Sequence, residues 1–582
     1  MAAQKRLLYM ATVWPEASSS AAGVRSMGML ESLLQQGWQV TVSSACKPNA
    51  FMQQLQIATG IHAVHTPLND SCAAEALLSG QLSAEAGVAG EEAGPPDVVL
   101  FDRFYEEERF GHFVQQHVPQ AATILDTQDL HSVRLSRQAY VESCHPWQAS
   151  IEQAVAAVPA LDDATFCREM AAMNRCDMQD CLGAPPQRFA ACADSPAPPP
   201  PHHRVCSDWE KHFLTDVVGM PRHKVALASF YYANMEQEHA AVPDAAAFAT
   251  RHGFVFIGNY QHPPNADAAQ WLARLWPSLR ARLPDATLNL YGAKPGAVER
   301  DLHNPSKGVF MHGHVADIGD PLRSHRVMLA PLRFGAGVKG KVLDAWAHGL
   351  PVVTTSIGAE GILPLDMLHP PAATLSDSDS EEDTPGRQPV QAGDAVLDTP
   401  LFQGLVGQEE ESHTTAALAS DDEYAAVRGV PRPYPSGLRT VSAAGWRVGA
   451  PLSTPGLSGL LASAMGSSSA VEEAKEPPAH LDMFERALLC EDDSAVVEAA
   501  VAMYSDAEVW ANAAAQGAAC LHGRFAQSAN GPAFGSVVAG LLASLPRRRA
   551  GDLARSLAWH SQASYTRYFS RYLEAKAKNE GR

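Results

Sequence analysis

The strongest constraint in this sequence is a set of short apolar runs that do not alternate with polar residues. RLLYMATVW (Arg6–Trp14), WQVTVSS, PDVVLFDRF (Pro96–Phe104) and AATILDTQDLH (Ala121–His131) lie in the first half of the chain. GFVFIGNY (Gly253–Tyr260), ATLNLYG, VFMHGHV, RVMLAPL and PVVTT lie in the second. A strand with one wet face alternates; a run that is apolar throughout suits a strand buried on both faces, as in a parallel sheet covered by helices. Helix-periodic segments separate the runs, among them SMGMLESLLQQG, closed by Gly37, and NADAAQWLARLWPSLRARLP. Strand, small-residue loop, helix, strand is the opening of a doubly wound α/β domain, and here it starts twice. The halves share a design without a visible sequence repeat.

A chain of 582 residues exceeds what one core organises. The expected layout is a first doubly wound domain over 1–245, a second over 246–370, an insertion over 371–478, and helices over 479–582. Those last helices would complete the second domain and cross back to the first. The insertion carries 16 acidic against 6 basic residues, half of the chain's net charge of −20. With SDSDSEEDTPGRQPVQAGD and GSSSAVEEAKEPP inside it, its composition predicts disorder. A proline- and alanine-rich stretch, 181–203, reads as an inserted loop in the first domain.

These features exclude several classes. The negative charge opposes nucleic-acid binding through phosphate neutralisation. No run of about 18 apolar residues predicts a transmembrane helix, which leaves only peripheral association with a membrane open. MAAQKRLLYMATVW is too short in apolar residues for a signal peptide and leads directly into a strand. Ten cysteines show no small-domain disulfide framework, so the cytoplasm is the expected location, with an organelle address left open. Cys176, Cys181, Cys192, His202, His203 and Cys206 cluster without a CxxC pair and predict no zinc site. Asp377–Asp379 (DSD) lie in a Ser/Asp/Glu run and read as solvated rather than metal-binding.

The chemistry concentrates in RFGAGVKGKVLDAWAHGLPVVTT, Arg333 to Thr355. Lys339 and Lys341 sit where a glycine-rich loop turns into a helix, an end that already carries partial positive charge. A bound polyanion resolves that conflict. Gly335, Gly337 and Gly340 let the backbone approach a ligand, amides at the helix start point at a phosphate, and the lysines neutralise it. Asp344, one turn on, can accept hydrogen bonds from the vicinal hydroxyls of a ribose. Together these describe a nucleoside diphosphate. GxxxxGK[ST] is absent, so this is not the phosphate loop of nucleotide triphosphatases. In the first half, Asp102, Asp126, Asp129 and His131 follow strand ends, where the ligand crevice of such a sheet lies. A neutral His131 there could hydrogen-bond a sugar hydroxyl.

APLRFGAGVKGKVLDAWAHGLPVVTTSIGAEGI, preceded in order by FVFIGNYQHPPNADAAQWL, LNLYGA and VFMHGHVAD, closely resembles the donor-binding element of group 1, family 4-type glycosyltransferases of the GT-B fold. WPEASSSAAGVRSMGML, DVVLFDRFYEEERFG and ILDTQDLHSVR look like the first domain of bacterial-type members. The resemblance implies two Rossmann-like domains facing across a cleft, the first on the acceptor side and the second binding the nucleotide sugar. It implies a retaining transferase with a nucleotide-diphosphate sugar as donor, an unspecified glycan, lipid or protein acceptor, and neither cofactor nor metal. Lys339 and Lys341 would contact the diphosphate and Asp344 the ribose. Gly258 and Asn259 would lie beside the phosphates with Arg333, Gly335 and Gly337, and Gly23 would face them across the cleft. His131 and Asp129 would sit near the transferring sugar. Many members carry two glutamates eight positions apart; here the second is Asp344 and the first position is Ala336, so Glu360 in GAEG, or a backbone amide, would have to meet the sugar hydroxyl. A non-catalytic GT-B scaffold is the alternative. A nicotinamide oxidoreductase is excluded by the missing GxGxxG after the first strand.

Overall fold

A computed structural model of the chain describes residues 4–16, 21–81, 94–144, 147–177, 207–228, 230–232, 245–363 and 483–559. The acidic insertion, the DSD motif, the proline-rich loop with its cysteines and histidines, and the residues after 559 lie outside the described residues.

Two five-stranded sheets form. The first comprises β1 (Arg6–Ala11), β2 (Gln39–Ser44), β3 (His62–His65), β4 (Val98–Asp102) and β5 (Ala122–Asp126). The second comprises β6 (Phe254–Ile257), β7 (Leu288–Tyr291), β8 (Val309–Gly313), β9 (Val327–Ala330) and β10 (Val352–Thr354). Their orders are β3-β2-β1-β4-β5 and β10-β9-β6-β7-β8, and every pairing is parallel. Counted from its own first strand, the second sheet is wound as the first is. The opening strand is central, the next two extend on one side, and the last two on the other. The expected α/β architecture, two doubly wound parallel sheets, is therefore present.

The apolar runs sit where their composition requires. Every residue of β4, β5, β9 and β10 is buried, whereas the edge strands β3 and β8 are largely half-buried. β3 and the helices Ala50–Thr59 and Ser71–Ser79 around it were not anticipated from the sequence. HAVH is too short and too polar to stand out as a buried strand.

Helix packing places the loops. Helix Gly340–Ala347 buries Trp346 completely against helix Ala507–Phe525. A Cβ on Gly517 would lie 2.5 Å from that indole, so only glycine admits the approach. The second core extends through Trp271, Trp276, Trp346 and Trp510. The chain crosses between the sheets at 230–232 and returns at 525–527. Phe230 packs into the second core, Tyr231 into the first, and Tyr232 against the second again, the alternation of an extended segment between two cores. Helix Gln527–Gly551 then lays Phe534, Val538, Leu541 and Leu545 into the first core.

Candidate functional site

In an open parallel sheet the crevice lies beyond the strand C-termini, where the winding reverses. In the second sheet that point falls between β6 and β9. Gly258 and Asn259 follow β6; the loop Pro331–Lys339 follows β9 and leads into helix Gly340–Ala347. The two stretches that carry the sequence motifs are thus brought together by topology. Gly337 holds φ +66°, and a Cβ there would lie 3.1 Å from Cβ of Asp129 in the first domain. A Cβ on Gly340 would lie 2.3 Å from Cβ of Ala21. The glycines therefore do more than loosen the loop: they let it approach the first domain at Ala21 and Asp129.

The helix start is cationic and uncapped. Lys339 is its N-cap, and no side chain hydrogen-bonds the end. The Lys339 ammonium folds back onto the Gly337 carbonyl. The Lys341 ammonium donates to Asn265 Oδ1 and lies 4.5 Å from the centre of the Phe256 ring. Among the described residues neither makes an ion pair. Burial lowers Lys341 to about 7, and the Lys339 charge pushes it the same way, against Asp344. Lys339 is lowered by burial as well. Burial also pushes Asp344 up to about 6, against its hydrogen bond from Tyr232 and the charge of Lys341. Asp344 Oδ1 accepts that bond at 2.6 Å.

Other expected donor residues are placed at the loop but engaged. Arg333 forms a two-pronged pair with Asp267, Nε to Oδ2 at 2.9 Å, and its guanidinium lies 4.4 Å from the centre of the Trp147 ring. Asn259 accepts from the Gln261 amide through Oδ1 and from Asn265 through its carbonyl. Gly23 stands in the first turn of helix Ala21–Gln35, close enough to Glu16 that a Cβ would fall 2.2 Å from its carbonyl oxygen. Ala336 is buried among apolar residues of the first core, so this loop position makes an apolar contact across the cleft.

The first-domain wall is held by internal carboxylate contacts. Helix His131–Ser143 receives two buried carboxylates at its start. Glu169 accepts from the amides of His131 (2.7 Å) and Ser132, and Glu210 from that of Leu130 (2.9 Å). His131 Nε2 lies 3.2 Å from Asp129 Oδ1, and Asp129 Oδ2 accepts from Arg134 Nε at 2.8 Å. Burial pushes Asp129 up, but Arg134 and His131 outweigh it and hold the carboxyl well below its usual range. Asp126 pairs with Arg25 at 2.6 Å, and Gln128 donates to both Asp102 and Asp126.

Arg137 joins the walls, and the sequence reading did not identify it. It is completely buried, donates to the Gly335 carbonyl (2.6 Å) and to Glu360 Oε2 (2.7 Å), and lies over the Trp209 ring. Glu360 Oε1 and Glu210 Oε2 have no hydrogen-bond partner among the described residues. Glu210 is pushed up to about 8, by burial first and by Glu360 next. Asn265, His262 and Tyr232 were also missed. The three-residue spacing of His131, Arg134 and Arg137 on one helix is the signal that could have found Arg137.

The family model described as Glycosyl transferases group 1 matches residues 251–370. Residues 251–370 are similar to group 1 glycosyl transferases. The group 1 match contains Gly258, Asn259, Arg333, Gly335, Gly337, Lys339, Lys341, Asp344 and Glu360; Gly23, Asp129 and His131 lie outside it. No curated protein matches the chain. Solved structures similar to it include Anabaena HepE in complex with UDP, at 11% identity over 62% of this chain and 84% of that one, with a TM-score of 0.40. A Rickettsia africae glycosyltransferase matches at 10% identity, 61% and 80% coverage, TM-score 0.36. The pneumococcal O-GlcNAc transferase GtfA in complex with UDP and GlcNAc matches at 9% identity, 61% and 84% coverage, TM-score 0.37.

Proposed function

We propose that the protein transfers a sugar from a nucleoside-diphosphate sugar to an acceptor, with retention of anomeric configuration and without a metal. The observation that carries this reading is the pair Lys339 and Lys341: two lysines that make no ion pair among the described residues, at an uncapped helix start, at the switch point of a parallel sheet. A diphosphate satisfies both lysines and the helix amides. Asp344, one turn on, then meets the ribose.

The sugar–phosphate bond breaks with its electron pair on the departing diphosphate. Lys339, Lys341 and the helix amides stabilise that charge as it develops. The acceptor oxygen bonds to the same face of the anomeric carbon, and its proton passes to the diphosphate oxygen. His131, held by charged Asp129, touches the sugar from the facing wall. Arg137 holds the donor loop through the Gly335 carbonyl and fixes Glu360 beside it.

Ala336 favours a second reading, a nucleotide-binding scaffold without transfer, because an apolar contact replaces a sugar-facing carboxylate. Incubation with uridine-, guanosine- and adenosine-diphosphate sugars separates the two. The transferase slowly releases nucleoside diphosphate to water, and does so in chelator. Tight diphosphate binding with neither hydrolysis nor transfer across the panel would establish the scaffold.

A further inference from the structure

Asp344 is contacted by a residue from neither sheet. Tyr232 Oη lies 2.6 Å from Asp344 Oδ1, while its other acceptor, the Gly340 carbonyl, is 3.5 Å away. The phenol proton therefore goes to the carboxylate. Burial, and then the neighbouring Asp344, push the Tyr232 phenol well above its ordinary value, so it keeps the proton it donates.

The backbone of Tyr232 is fixed on both sides. Its amide donates to the Phe525 carbonyl at 2.8 Å, and its carbonyl accepts from the Gln527 amide at 3.0 Å. These residues belong to the two places where the chain passes between domains, and they pair as a short parallel bridge. Asn530 ties the same segment down by donating to the Phe230 carbonyl at 2.8 Å. The ring of Phe230 stacks on that of Tyr232, with centroids 6.3 Å apart. Tyr232 is thus a rigid arm that reaches from the paired crossovers to one oxygen of Asp344 and leaves the other to the cleft.

We propose that Tyr232 is a positioning residue for nucleotide ribose: by fixing the Asp344 carboxylate from the paired crossovers, it aims the free oxygen at the vicinal hydroxyls and ties their recognition to the joint between the domains. This rests on the donor reading above. A vicinal diol offers two donors, and a carboxylate free to rotate meets them with less directional preference. Without the phenol, Asp344 also loses a bond that favours its charged form, so it protonates at higher pH and becomes a weaker acceptor.

The test is calorimetry on the full chain and on Tyr232→Phe. The probes are uridine, guanosine and adenosine diphosphates, their 2′,3′-dideoxy forms, and inorganic pyrophosphate. The wild-type protein should prefer the ribose form of its nucleotide by at least about tenfold, the scale of charge-assisted hydrogen bonds. In Tyr232→Phe that preference should fall to about threefold or less, with pyrophosphate and dideoxy affinities changed by less than about twofold. The acid limb of ribonucleotide binding should move to higher pH while that of pyrophosphate stays in place. An unchanged ribose preference overturns the inference and leaves the donor reading standing. Equal losses for pyrophosphate reduce Tyr232 to a structural residue and also overturn it. Failure of the wild-type protein to bind any of the diphosphates overturns the donor reading and the inference together. Should Tyr232→Phe not fold, hydrogen exchange in the wild-type protein decides. The Tyr232 and Gln527 amides should slow with the ribonucleotide and not with its dideoxy form, and equal protection by both contradicts the inference.

Discussion

The two sheets are wound alike, yet the charges at their strand ends are arranged differently. After β5 of the first sheet, Arg25 pairs with Asp126 and Arg134 with Asp129, and Glu169 and Glu210 accept from amides at the helix start. At the second, the helix start is uncapped, and Lys339 and Lys341 donate to a carbonyl and an amide oxygen, with Glu360, Glu210 and Asp129 opposing the lowering of Lys339 by burial. Winding creates a crevice in both; the proposed function puts the anion in the second.

The sharpest way to break this contrast is to remove charge from the second crevice. Replacing Lys339 and Lys341 together with Ala should weaken nucleoside-diphosphate binding at least about a hundredfold, since each charge-assisted contact is worth about 1.5–3 kcal/mol. Calorimetry measures it, and thermal unfolding should show a fold left intact. Removing charge from the first crevice should do the reverse. Arg25→Ala strands the Asp126 carboxylate, a loss on the order of 3–5 kcal/mol in stability. Denaturant unfolding should record it, while the protein that remains folded binds diphosphate with unchanged affinity.

The legible parts were those encoded in contiguous sequence. Strands buried on both faces announce themselves by unbroken apolar runs, and the donor loop by glycines and lysines within a few positions. β3 did not, because an edge strand of four half-polar residues lacks that signature. Helix Gln527–Gly551 did not either, since Pro532 and Pro546 and several glycines hide its periodicity. The engagement of Arg333 by Asp267, and of Glu360 by Arg137, joins residues far apart in the chain. No local pattern marks such pairs. Tyr232 acquires its place only when two crossovers pair.

A pH titration sharpens the contrast at smaller amplitude. Burial and the charge of Lys339 lower Lys341 to about 7. A bound diphosphate raises it. Below about pH 7 the lysine is charged with or without ligand, so affinity is full. Above that, binding must take up a proton, and affinity falls as pH rises toward the raised value in the complex, by at most about tenfold per unit. The last phosphate proton leaves near pH 6 and acts in the opposite direction, so the window from about pH 7 to 9 isolates the lysine. Calorimetry at pH 8 in buffers of different ionisation enthalpy should show proton uptake.

The smallest change in binding is expected at His131. His131→Ala should change diphosphate affinity by less than about twofold while turnover falls by about ten- to a hundredfold, since the ring would touch sugar and not nucleotide.

The most direct measurement is a crystal structure of the protein with its nucleoside diphosphate bound. The account predicts the diphosphate at the start of helix Gly340–Ala347, within hydrogen-bond reach of Lys339 and Lys341, with the ribose on Asp344. A diphosphate seated instead among the charges of the first switch point, or anywhere that leaves both lysines untouched, would contradict it.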